Sequence, residues 1–111
     1  MQQLDQFDFH SVLEDTTGVA LVSFTATDCG ACRHLATVMR ELAVVRPDWR
    51  LFGVDAQRDM ALTREFEIFH LPTLFLFHDG EFHCELRAEA RVSAMIGAVH
   101  AALREPAQEA P

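Results

Sequence analysis

Two cysteines separated by two residues, Cys29-Gly30-Ala31-Cys32, are the part of this sequence best suited to chemistry. Such a pair can exchange electrons with another disulfide, or it can supply half of a four-ligand zinc site. The metal reading needs further ligands. Beyond the pair there are only Cys84 and scattered histidines, with no second CxxC and no closely spaced His pair. Three cysteines arranged as one close pair and a remainder are also no disulfide scaffold. Redox chemistry at Cys29 and Cys32 is the favoured reading, with a metal-binding or purely structural CxxC as the rival.

That chemistry depends on what holds the pair. Residues 19–26, Val-Ala-Leu-Val-Ser-Phe-Thr-Ala, form an almost unbroken apolar run with β-branched members, the pattern of a strand buried on both faces. After the pair the period changes. Cys32, Leu35, Ala36, Met39, Leu42 and Ala43 recur at helical spacing, and Pro47 stops the helix. Cys29 therefore sits where a strand hands over to a helix N-terminus, whose free N–H groups and partial positive charge favour a thiolate. Cys29 is expected to be exposed and to attack. Cys32, on the apolar face, is expected to be shielded and to resolve the mixed disulfide. Gly30 leaves the approach unobstructed.

The remaining pattern predicts a short helix over 9–14, a strand over 50–55, a helix over 59–66 and strands over 73–77 and 81–86. Asp79-Gly80 supplies the hairpin turn, a helix spans residues 92–103, and a short strand is possible at 3–5. Strands alternating with helices imply parallel βαβ pairing, with the hairpin adding an antiparallel edge. The expected fold is α/β, a mixed sheet of four to five strands with helices on both faces. The expected domain is 1–104, and 105–111, with two prolines and no large apolar residue, reads as a flexible tail.

Composition narrows the function. The chain has 111 residues, half of them apolar, enough for one core. Its net charge is −8 and its nine basic residues are all Arg, without a basic stripe. Binding to nucleic acid or to an anionic membrane surface is therefore not expected. No apolar stretch is long enough to span a membrane, and the first residues lack the basic and apolar segments of a signal peptide, so the cytosol is the expected compartment.

The strand at 19–26, the Cys29-Gly-Ala-Cys32 pair, Val54-Asp55, His70-Leu71-Pro72-Thr73 before a Phe/Leu strand, and Asp79-Gly80 together resemble the thioredoxin family. The resemblance runs from about Leu4 to Leu103. It implies a thioredoxin fold and thiol–disulfide exchange with protein disulfides, supplied with electrons by an upstream reductase. A monomer without metal or organic cofactor is implied as well. It also implies a cis bond at Leu71-Pro72, with Pro72 facing the disulfide, and substrate contacts at Asp28, Gly30, Ala31, His70, Leu71 and Pro72.

Departures from the family pattern surround the pair. Asp28 stands where Trp is usual, Ala31 where Pro is usual, and Thr37 replaces the Pro that kinks the helix. Ser23 and Leu51 occupy the positions of a buried Asp and a Lys, and Ala88 that of a Gly. Ser23 cannot act as a base near neutral pH, and the charge of Asp28 opposes the helix N-terminus at Cys29. These changes suggest a specialised relative with narrow substrates; the rival is a thioredoxin-fold binding module or assembly chaperone whose dithiol is secondary. His34 reads as solvated, and Cys84 as packing on one face with Phe82 and Leu86. Phe69 and Leu71 read as an apolar rim for partners, with the core as the alternative for Phe69.

Overall fold

The structure, a computed structural model, describes residues 1–111. Its elements are β1 (Gln2–Leu4), α1 (Phe9–Glu14), β2 (Val19–Thr25), α2 (Gly30–Val45), β3 (Arg50–Asp55), α3 (Met60–Glu65), β4 (Thr73–His78), β5 (Glu81–Glu85) and α4 (Val92–Leu103). The five strands form one sheet in the order β1-β3-β2-β4-β5. The apolar run predicted as a doubly buried strand is β2, at the centre, with Ala20 to Phe24 all buried.

β1, β3 and β2 are mutually parallel, whereas β4 runs antiparallel to β2 and β5 antiparallel to β4. The expectation of parallel pairing for every helix-linked strand thus fails at β4. A parallel return needs a connection that travels the length of the sheet. The six residues of α3 rise only about 9 Å, against about 20 Å for a six-residue strand. The chain stays at the end where β3 finishes. Asp55 pairs with Thr25, and Thr73 pairs with the neighbouring Phe24. One end of the sheet therefore collects the exit of β2, the exit of β3 and the entry of β4.

Two apolar clusters of comparable size fill the two sides. One joins Phe9 and Leu13 of α1 with Leu62, Phe66, Phe24, Phe52, Phe75 and Phe77. The other joins Leu35, Val38, Met39 and Leu42 of α2 with Met95 and Val99 of α4, over Leu21, Leu51, Leu74 and Leu76. Phe69 belongs to neither and is 90% exposed, which rules out the core reading.

The β4–β5 hairpin carries an irregularity that alternation concealed. Leu76 faces Cys84 and Phe77 faces Phe82, so His83 is an extra residue, a bulge. Phe82 consequently packs on the α1 and α3 side, against Phe75 and Phe77. Cys84 and Leu86 lie on the α2 and α4 side. The three do not share a face. Burial pushes the Cys84 thiol above its ordinary pKa, in keeping with a packing role. His83 is itself buried; its Nε2 donates to the Ala102 carbonyl at 2.7 Å, and its own carbonyl accepts from the Gln108 N–H at 2.7 Å.

Gly97 lies on the exposed face of α4, and a Cβ there meets nothing within 4 Å. Helical glycine loses more backbone freedom on folding than alanine, so Gly97→Ala is expected to add about 0.5–1 kcal/mol. Denaturant titration checks this through a higher midpoint at unchanged slope.

Candidate active site

Cys29 is the N-cap of α2, in extended conformation (φ −124°, ψ 109°), and its sulfur accepts the backbone N–H of Cys32 at 3.2 Å. The sulfur takes the role that a Ser or Asp side chain fills at an ordinary cap. Any negative charge on it is met by an N–H of the first turn and by the N-terminal end of a 16-residue helix. Asp28 opposes this, but it is solvent-exposed and so screened, whereas the N–H contact is direct. The local balance favours the thiolate.

Cys29 and Cys32 form a disulfide with their Cα atoms 5.1 Å apart. Cys32 is 3% exposed, as its place on the apolar face of α2 requires. Cys29 is half-buried rather than open, because the chain entering β4 packs over it; the Leu71 carbonyl oxygen lies 3.9 Å from its sulfur. The Leu71-Pro72 peptide is cis. The three ends gathered at one edge of the sheet thus bring the CxxC turn and the Leu71-Pro72 turn together.

At Ser23 of β2 and Leu51 of β3 the sheet presents no ionisable group beneath α2. Ser23 is 2% exposed and its hydroxyl donates to the Phe52 carbonyl at 3.4 Å. Leu51 packs into the α2-side cluster. Thr37, in the second turn of α2, donates to the Arg33 carbonyl at 3.3 Å, and the helix continues through it. Gly30 is not demanded by space inside the molecule. A Cβ there meets only the tip of Arg33 at 3.7 Å, so the open surface beside Cys29 faces outward.

Next to the pair is a groove of about 380 Å³ with an apolar floor that includes Leu35, Pro72, Leu74, Leu86 and Met95. Ala31 and His70 line it, as do His34, Glu85 and Arg87, which were not expected there. His34 is solvent-exposed, as expected, and is bonded as well. Its Nε2 donates to the Ala90 carbonyl at 3.0 Å and ties α2 to the segment before α4. Helical spacing alone carried the hint, because position 34 shares the first turns of α2 with Ala31 and Leu35. Asp28 is exposed beside Cys29 but is not part of the groove wall, and Leu71 contributes its carbonyl to the sulfur contact.

The family model for thioredoxin matches residues 1–101. Thioredoxin of Staphylococcus aureus is 36% identical over 78 residues, 67% of this chain and 70% of that protein. Thioredoxin f2 of Chlamydomonas reinhardtii superposes with a TM-score of 0.80 at 22% identity, covering 97% of this chain and 99% of that one. Human ERp44 in its zinc-bound form superposes with a TM-score of 0.81 at 24% identity over 91% of this chain, which spans only 31% of that protein. At those identities the two superpositions speak for the fold, and the sequence matches speak for descent. A disulfide-forming CxxC at the N-terminus of α2 in a chain so matched leaves one assignment: the protein belongs to the thioredoxin family and is a thiol–disulfide oxidoreductase.

Proposed function

We propose that this chain reduces protein disulfides in the cytosol as a monomer, with electrons from an upstream reductase and without a bound cofactor. Residues 1–104 form the working domain, and the tail 105–111, tied to β5 through Gln108, lies outside the exchange. The Cys29 thiolate attacks one sulfur of the substrate disulfide, forms a mixed disulfide and releases the other substrate sulfur as a thiolate. The Cys32 thiol then gives up its proton and attacks the Cys29 sulfur. The second substrate thiolate leaves and takes up a proton, while Cys29–Cys32 closes. Two electrons pass from the dithiol to the substrate, and the reductase restores them. Asp28, Gly30, Ala31, His70, Leu71 and Pro72 form the surface on which the substrate chain lies.

The observation that carries this reading is the Cys32 N–H on the Cys29 sulfur at the head of α2. It favours the attacking thiolate in the member of the pair that solvent can reach. The test is equilibration of the protein in defined dithiol buffers at neutral pH, followed by thiol alkylation and mass measurement. A reversible two-electron transition near the thioredoxin value of about −270 mV is expected. A transition near −120 mV, the range of strong oxidants, overturns the reductase direction.

A further inference from the structure

The groove beside the disulfide has an uneven distribution of hydrogen-bonding groups. At His34, Nε2 donates to the Ala90 carbonyl, so in the neutral ring the proton is on Nε2 and Nδ1 carries a lone pair without a protein partner. At His70 the assignment follows from Thr73. The Thr73 hydroxyl gives its single proton to the His70 carbonyl at 2.7 Å. Its oxygen must then accept from His70 Nδ1, 3.3 Å away. The proton of that ring sits on Nδ1, and Nε2 is the unpartnered acceptor. Two imidazoles on different elements have each turned their donor toward the protein and kept an acceptor free.

The carboxylate of the groove wall keeps an acceptor free as well. Glu85 lines the groove with Arg87, whose Nε binds Glu85 Oε2 at 3.1 Å, while Glu85 Oε1 has no partner. The Arg87 side chain is 80% exposed, so solvent screens it. Arg91, just beyond, is held by Glu89 and Ser93, and Arg33 reaches the Thr27 carbonyl. Asp28, exposed next to Cys29, makes no ion pair. Arg33, Arg87 and Arg91 each spend at least one donor on the protein, whereas acceptors at His34, His70 and Glu85 in the groove wall are free. The chain as a whole carries −8.

We propose that the groove selects substrate segments with a basic side chain, Lys or Arg, flanking the reacting cysteine, and that His34, His70 and Glu85 set this preference. The proposal rests on the exchange reading above and adds the substrate class to it. A lysine or arginine head brings donors and no acceptor, and its methylene stem suits the apolar floor. An acidic side chain brings only acceptors, and finds a donor at the solvent-screened Arg87 guanidinium but none at His34, His70 or Glu85.

The test uses three disulfide-bridged peptides alike except for Lys, Gln or Glu beside one cysteine. Turnover of the Gln peptide reports on the exchange reading. The ratio of kcat/KM for Lys over Glu reports on the groove. Exposed charge-assisted contacts are worth about 1 kcal/mol, so a ratio of about three- to tenfold is expected at low salt. It should fall toward one in the combined His70→Leu and Glu85→Gln variant. The same peptides with serine in place of cysteine, titrated against the protein by NMR, give the binding order without any exchange. Tighter binding of the Lys form, with the histidine ring resonances moving, supports the proposal even where turnover is absent. Equal binding of the Lys and Glu forms, or preference for Glu, overturns it.

Discussion

Replacing Cys29 by Ser is expected to abolish disulfide turnover, a loss of at least about three orders of magnitude, because the hydroxyl supplies no anion at neutral pH and no exchangeable sulfur. Replacing Cys32 by Ser is expected to abolish multiple turnover equally but to leave the first step intact. The variant then accumulates as a one-to-one mixed disulfide with substrate, visible by mass measurement and released by dithiol. The asymmetry follows from position. Cys29 caps α2 with its sulfur half-exposed on the N–H of Cys32, while the Cys32 side chain is 3% exposed on the core face. A substrate sulfur in line for attack can reach the first and not the second. A mixed disulfide that formed on Cys32 in the Cys29→Ser protein would reverse the assignment of roles. Retained turnover in that variant would remove Cys29 from the mechanism.

What the sequence made legible, and what it hid, follows from the range over which each signal acts. Helices at Phe9–Glu14 and Val92–Leu103 and the strand at Arg50–Asp55 were readable to the residue, because each is a local period closed by a breaker. The placement of Cys29 at the head of α2 and of Cys32 on its buried face was readable for the same reason, since one strand exit and one helix start position both. The direction of β4 was not, because it depends on the length of α3 relative to the sheet, a comparison between distant elements. The bulge at His83 hid behind Phe-His-Cys-Glu-Leu, which alternates well enough to read as a regular strand; only the pairing of Leu76 with Cys84 and Phe77 with Phe82 reveals the extra residue. His34 is exposed as expected, but its bond to the Ala90 carbonyl was hidden because that partner is 56 residues away. Side chains that answer to long-range backbone groups leave no mark on local periodicity.

Ser23→Asp is expected to move stability and rate in opposite directions. The position faces the α2 side of the sheet, two residues on from Leu21, and is 2% exposed with only the Phe52 carbonyl as partner. A carboxylate there lacks a donor, and Leu51, where a cation would help, is apolar. Its folded pKa should therefore rise above the unfolded value of about 3.9. The folded state then holds its proton more tightly than the unfolded state, so the variant is least handicapped below pH 4. Stability declines as pH rises from there through the raised folded pKa, and at neutral pH the loss should reach about 2–4 kcal/mol. Yet a carboxyl that titrates close to neutrality is suited to take the Cys32 proton, and general-base assistance is worth about 10²-fold or more on such a step. Mixed disulfides made with the Asp variant should therefore resolve faster than those of the parent protein. Ser23→Asn separates the effects, since it carries a similar burial cost without the base and should give no acceleration. If the folded Asp variant resolves no faster than the parent, deprotonation of Cys32 does not limit resolution, and the exchange runs at its own pace without a buried carboxylate.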